Sequence, residues 1–277
     1  MPDKPPMTAS PATRVPYVHV DAFSSRPFGG NQAAVMVLDE WLPDALLQQI
    51  AAENMFAETA FLVATPGGAA EFELRWFAPA CEVALCGHAT LAAGHVVLRQ
   101  DHERETIRFA TRKAGVLAVS RAGEGYEMAL PAIALDDAPP AAVADGLGAV
   151  PTELAWSAKG YLVARYDSEA EVRALTPDMA KLASHGDTAF IATARGAEPD
   201  VVSRVFVPGA GIPEDSVTGS AHAALAVFWT PRLGKESFSA HQASARGGDL
   251  GCRLTGDKTM LTGQCVTVAE GLYYLPG

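Results

Sequence analysis

Apolar and polar positions fall along this chain in blocks that specify short elements. Val18–Phe23 and Ala33–Leu38 are apolar, β-rich runs on either side of the turn-rich RPFGGN (Arg26 to Asn31), which predicts a hairpin whose glycines take positive φ. Asp44–Asn54 changes to helical periodicity, with Leu46, Leu47 and Ile50 on one side. Strands are expected at Thr59–Ala64 and Glu71–Phe77, then at Gly160–Tyr166, Thr188–Thr193 and Val201–Val207, with a helix around Asp178–Ser184. Two further segments, Gly87–Leu98 and Gly219–Trp229, begin on glycine and carry almost no charge. A helix that is apolar nearly all round is buried, so each is expected to run through the middle of a curved antiparallel sheet. The predicted class is α+β: two mixed, barrel-like halves, each wrapped on a central helix.

The pattern repeats. AETAFLVA (Ala57 to Ala64) lies over GDTAFIAT (Gly186 to Thr193) at an offset of 129, and the same offset sets RWFAP (Arg75 to Pro79) on RVFVP (Arg204 to Pro208). Three residues are then inserted, and CGHATLAA (Cys86 to Ala93) falls on TGSAHAAL (Thr218 to Leu225) at 132. RKAGVLAV from Arg112 matches RGGDLGCR from Arg246 at 134. An order kept with a slowly drifting offset marks a duplication. The expected organisation is a disordered lead-in at 1–13, a first half at 14–135 whose sheet the C-terminal strand can cross over to join, and a second half at 136–277.

At 277 residues with 49% hydrophobic and 19% charged side chains, the chain is long and apolar enough for a packed core. A formal charge of -11 and no run of Lys or Arg argue against nucleic acid and anionic membranes as partners. No stretch approaches a membrane span, and residues 1–13 lack the apolar core of a signal peptide, so a cytoplasmic protein is expected. Its four cysteines form no small disulfide framework and read as free thiols.

The two central helix starts are the candidate functional positions. Free backbone N–H groups and the positive end of the dipole bind carboxylates and oxyanions there, and glycine permits close approach. Gly87 and Gly219 begin these helices, and His88, Thr218 and Ser220 would add donors. Thr218 or Ser220 could equally be an ordinary N-cap. Cys81, Cys86, His88 and His95 are close in sequence, but their spacing matches no compact metal-ligand pattern, and no second cluster completes a set. RPFGGN and the other glycine turns lack phosphate-loop spacing.

GGNQAAV (Gly29 to Val35), AENMFAETAF (Ala52 to Phe61), EVALCGHAT (Glu82 to Thr90), GIPEDSVTGSAHAAL (Gly211 to Leu225) and the closing RGG (Arg246 to Gly248) resemble the phenazine-biosynthesis PhzF-like isomerase family, over nearly the whole chain after the tail. The resemblance implies the diaminopimelate-epimerase-like fold, with pseudosymmetric halves and the active site between them. It further implies no metal or organic cofactor, a homodimer, and proton-shift isomerisation of a small acidic metabolite like that of a dihydro-hydroxyanthranilate. Two departures concern turn rigidity: Gln32 and Ser216 stand where the family often has proline.

Carried over residue by residue, the resemblance implies Glu58 as general acid/base, with His88, Asp215 and Ser220 lining the site. Asn31, Gly87, Thr218 and Gly219 are expected to bind substrate. Without the resemblance, Glu58 reads as a solvated or helix-end side chain and Asp215 as a turn former. A carboxylate whose pKa is raised by partial burial could take a proton from one carbon and return it to another. Racemases and epimerases of this fold use a thiol at each helix start; here Cys86 is answered by Thr218, whose hydroxyl cannot replace a thiolate, and Cys86 reads as a small buried residue. A same-fold racemase or a catalytically idle binding protein are the alternatives.

Overall fold

The computed structural model describes residues 13–65, 67–136 and 138–275; apart from Thr13, the expected lead-in lies outside the described residues. The chain begins with β1 (Thr13–Ala22), β2 (Asn31–Leu38), α1 (Asp44–Asn54), β3 (Glu58–Ala64), β4 (Phe72–Phe77), the two-residue β5 (Glu82–Val83), α2 (Gly87–Leu98), β6 (Thr106–Thr111), β7 (Val116–Ala122) and β8 (Gly125–Pro131). It continues with β9 (Glu153–Ser157), β10 (Tyr161–Arg165), α3 (Glu169–Ala174), α4 (Met179–Ala183), β11 (Ala189–Arg195), β12 (Val201–Val207), β13 (Ile212–Asp215), α5 (Gly219–Leu233), β14 (Ser237–Gln242), β15 (Gly248–Thr255), β16 (Lys258–Gly263) and β17 (Cys265–Leu275).

The strand senses show the duplication. β1 and β2 pair antiparallel, β2 and β3 parallel, β3 and β4 antiparallel, β4 and β6 parallel, and β6, β7 and β8 run antiparallel. The same succession recurs from β9 through β10, β11, β12 and β14 to β15 and β16. Parallel neighbours need a crossover; α1 and α2 supply it in the first run, α3 with α4 and then α5 in the second. The two runs join where β8 pairs antiparallel with β16, and β17 returns to pair with β1. No helix among the described residues is long and apolar enough to cross a membrane.

The repeated Arg-x-Phe motif has one physical explanation in both places. Arg75 forks onto Glu82 at 2.8 and 2.9 Å and lies 4.9 Å from the centre of the Phe77 ring. Arg204 forks onto Glu214 at 2.8 and 2.9 Å and lies 4.9 Å from that of Phe206. Planar guanidinium suits both partners, which lysine would not. The fork ties the strand carrying the arginine to the turn before each central helix, so the motif fixes where α2 and α5 start.

α2 is buried along almost its whole length and α5 from Gly219 to Trp229, as their lack of charge there requires. Side chains such as Leu91, Leu98, Leu225 and Phe228 enter one core shared with both runs of strands, each contributing about 1.5–3 kcal/mol by burial. α5 continues past Trp229 to Leu233 although Pro231 lies inside it; Gly234, at φ +63°, ends it. The sequence signal stopped at the proline, but a proline near the last turn removes only one intrahelical bond. α3 was not expected; Ser168 caps it by accepting from the Glu171 amide, a local signal in a segment too short for periodicity. In the β1–β2 connection Gly30 takes φ +63° as expected, whereas the other left-handed residues are Phe23, at +61°, and Phe28, at +71°, and not Gly29.

Candidate active site

Local geometry brings residues from five elements to one point. Gly30 turns the chain so closely past β1 that a Cβ there would lie 2.1 Å from the Ala22 carbonyl oxygen, and this delivers Asn31 as the first residue of β2. Glu58 opens β3 beside Ala33. Cys86 is the N-cap of α2, followed by Gly87 and His88; Thr218 is the N-cap of α5, followed by Gly219 and Ser220, with Asp215 ending β13 just before. The helix starts abut: a Cβ placed on either glycine would be 3.6 Å from the Cα of the other. The first-turn amides of both helices have no carbonyl to reach within their own helix, so two positive dipole ends converge here.

His88, 5% exposed, anchors the cluster. Its Nε2 lies 3.1 Å from Glu58 Oε2, whose side chain is 15% exposed. On the other side Nδ1 is 3.2 Å from the Asn31 amide nitrogen and 3.5 Å from Cys86 Sγ. The two hydrogens of that amide go to Asp215 Oδ1 at 2.8 Å and the Val217 carbonyl at 2.9 Å. Asn31 therefore packs against His88 while holding Asp215, and is not a free donor to substrate. On the positively charged imidazole Nδ1–H is left to face Cys86 Sγ, and Nε2 faces Glu58 Oε2 at ion-pair distance. The Thr218 hydroxyl donates to Asp215 Oδ2 at 2.6 Å. Ser220 is half-buried, and its hydroxyl has no hydrogen-bond partner among the described residues.

The charges follow from these contacts. Burial would raise the Glu58 pKa, but the positive His88 and hydrogen bonds from His88 and Cys86 hold it below the usual carboxylate value. The expectation of a raised Glu58 is thus corrected, because its partner lies thirty residues away in sequence. Burial would lower His88, yet Cys86 and Glu58 outweigh it and hold the imidazole well above its ordinary 6.5. Asp215 is the carboxyl that burial does push upward, against His88 and the Thr218 hydroxyl. Cys86 is buried and its thiol is pushed up to about 11, chiefly by desolvation. His95 lies elsewhere, between Tyr126 and Thr267, and Cys81 is exposed.

Glu58, Cys86 and His88 place one potential metal-ligand atom each within 4.8 Å of one another. Without a metal, the Cys86 thiol stays protonated at neutral pH and His88 pairs with Glu58. Open surface depressions, such as one of about 490 Å³ lined by Phe23, Ala122, Gly125, Leu250 and Gln264, share no residue with this cluster. The repeat is asymmetric where it matters: Asp187, the counterpart of Glu58, is exposed, and Ser220 replaces His88. Sequence reasoning missed Gln242, which is wholly buried; its Oε1 accepts from the Thr218 amide at 2.8 Å and its Nε2 donates to the Asp215 carbonyl at 2.7 Å.

The duplicated sheet with a central helix in each run and facing helix starts defines an α+β protein of the diaminopimelate-epimerase-like class. The chain belongs to the phenazine biosynthesis-like (PhzC/PhzF) protein family, whose model matches residues 20–271. It is 46% identical over 254 residues to an uncharacterised isomerase of Pseudomonas aeruginosa, covering 91% of this chain and 95% of that one. A crystal structure of a PhzF-family protein from Enterococcus faecalis superposes with a TM-score of 0.87 at 39% identity, covering 95% of this chain and all of the other. A predicted epimerase from Pseudomonas aeruginosa, 22% identical, shares the fold with a TM-score of 0.73 over 94% of this chain and 99% of that one.

Proposed function

We propose that the protein is an isomerase that shifts a proton between carbons of a small carboxylate-bearing metabolite, with no metal or organic cofactor. The observation that carries this reading is the Glu58–His88 contact of 3.1 Å beside two abutting helix starts. The substrate carboxylate is received by the first-turn amides of α2 and α5 and by the Ser220 hydroxyl, with the convergent dipoles favouring the anion. Glu58 takes the proton from one carbon and returns it to another. Its lowered pKa suits the resting base. A bound anion nearby raises that pKa by like-charge repulsion, improving the match to a carbon acid as the substrate arrives. His88 stabilises the carboxylate before the transfer, and its Nε2 stays at Glu58 Oε2 to set the direction of attack.

Charge that spreads into the substrate carboxylate as the C–H bond breaks meets preorganised amide dipoles, where it is stabilised most. Asp215, held by Asn31 and Thr218, is the second acid/base group in reach. Isomerisation of a dihydro-hydroxyanthranilate is one reaction of this class, and relatives carrying the name isomerase support the assignment. Two-thiol racemisation has less support: Cys86 stays protonated, and the equivalent position holds Thr218, whose hydroxyl is bound to Asp215. The test is incubation with a panel of small cyclic and acyclic amino and hydroxy acids in deuterated water. One compound is expected to gain deuterium at a single carbon and to yield a double-bond isomer. Absence of exchange across all panel members with an acidic C–H contradicts the proposal.

A further inference from the structure

The connection from β14 to β15, Gln242 to Gly248, supplies no group that faces Glu58 or His88, yet it touches both loops of the site. Gln242 clamps the Asp215–Thr218 turn, and the Ser244 hydroxyl donates to the Ser216 carbonyl at 2.7 Å. Two residues on, Arg246 reaches the other loop. Its Nε donates to the Gly30 carbonyl at 2.9 Å, and one terminal nitrogen donates to the Gly29 carbonyl at 2.9 Å and to Asp21 at 2.7 Å. The Gly30 amide answers by donating to the Gly247 carbonyl at 2.7 Å. Asp21 is wholly buried and also accepts the Phe28 amide at 2.7 Å, so both ends of the turn before Asn31 are tied to one ion pair.

Glycine at 248 makes the meeting possible: a Cβ there would lie 2.3 Å from Val217 Cγ2, 3.0 Å from the Phe23 carbonyl oxygen and 3.4 Å from the Gly30 Cα. Three segments converge on a position without a side chain. A simple staple between strands would need one such contact; here every polar side chain of the segment is aimed at a loop that ends on Asn31, Asp215 or Thr218.

We propose that Gln242–Gly248 is a positioning bracket that sets the distance between Asn31 and Asp215, and that Arg246 is a positioning residue acting on His88 through Asn31. The idea rests on reading the Glu58–His88–Asn31–Asp215 cluster as the reacting site. A guanidinium is required because its fork reaches two carbonyls and a carboxylate at once; an ammonium would hold Asp21 and lose the carbonyls.

The experiment follows the His88 imidazole by nitrogen NMR in protein labelled with ¹⁵N-histidine, which needs no substrate. The charge-neutral pair Asp21→Asn/Arg246→Gln avoids stranding a buried carboxylate, and Arg246→Lys keeps the charge. In the pair variant the His88 pKa is expected to move toward the ordinary imidazole value by about 0.5 unit or more, with a smaller move in Arg246→Lys. In an Asn31→Ala background the same pair should add nothing further, because the route through Asn31 is already cut. An unchanged His88 titration with only a lower melting temperature overturns the proposal, as does a shift that adds in full to Asn31→Ala. A negative substrate panel would leave this result standing, so the two proposals fail separately.

Discussion

His88 Nε2 and Glu58 Oε2 sit 3.1 Å apart, joining the first turn of one central helix to the first residue of the strand beside it. Glu58 is held below its ordinary 4.5 and His88 above its ordinary 6.5, so both are charged across the neutral range.

Stability should therefore follow pH on both limbs. The Glu58 contribution is complete above about pH 4.5, its unfolded value, and is lost as pH falls through the lower folded value. The His88 contribution is complete below about pH 6.5 and is lost as pH rises through the higher folded value. Near pH 5.5, Glu58→Gln should cost about 1.5–3 kcal/mol, a charged hydrogen bond's worth, with the difference narrowing at either extreme. Urea midpoints of both proteins across pH 3–9 check it; a pH-independent difference would contradict the ion pair.

The Thr218 hydroxyl holds the ionised form of Asp215 at 2.6 Å. Removing it in Thr218→Val should raise the Asp215 pKa further above 3.8, by on the order of one unit or 1.4 kcal/mol. Carbon NMR of the labelled carboxyl reads this directly. A fall in that pKa would mean that the hydroxyl turns its hydrogen elsewhere.

Thiol chemistry should divide by burial. With its pKa pushed to about 11, Cys86 stays a thiol at pH 7.5, and burial also raises Cys252 and Cys265. Exposed Cys81 should be alkylated by iodoacetamide in the native protein, and the other three only after denaturation. Mass spectrometry of the peptides decides; rapid native labelling of Cys86 would restore a nucleophilic role for it.

Gly30 and Gly256 both take left-handed backbone, at φ +63° and +59°, but only Gly30 has a carbonyl where a Cβ would go; the space at Gly256 is open. Gly256→Ala should cost about 1–2 kcal/mol for conformation alone. Gly30→Ala should cost more, and should also displace Asn31. Thermal melts of the two variants compare them; equal losses would mean that the close approach to Ala22 has no energetic consequence.

Much of this was legible in the sequence because repetition and periodicity are local signals. Offsets of 129 and 132 placed Arg75 on Arg204 and Cys86 on Thr218; the structure gives the two arginines matching partners and makes Cys86 and Thr218 the N-caps of α2 and α5. The uncharged runs after Gly87 and Gly219 announced buried helices. What stayed hidden depends on contacts between distant residues. The Glu58 pKa is decided by His88, the Asn31 amide is occupied by Asp215 and Val217, and Gln242 and Arg246 matter only once the β14–β15 connection lies across both loops. Hydrogen bonds at separations of 184 to 217 residues leave no periodic trace.

The claim that Glu58 carries the proton is tested most directly by the rate at which solvent deuterium enters the exchanging carbon of the metabolite found by the panel, compared between wild type and Glu58→Gln. A drop of about 10²–10⁴-fold is expected, with His88 and Asp215 in place and the fold intact. Exchange in Glu58→Gln within a few-fold of wild type would show that another group moves the proton.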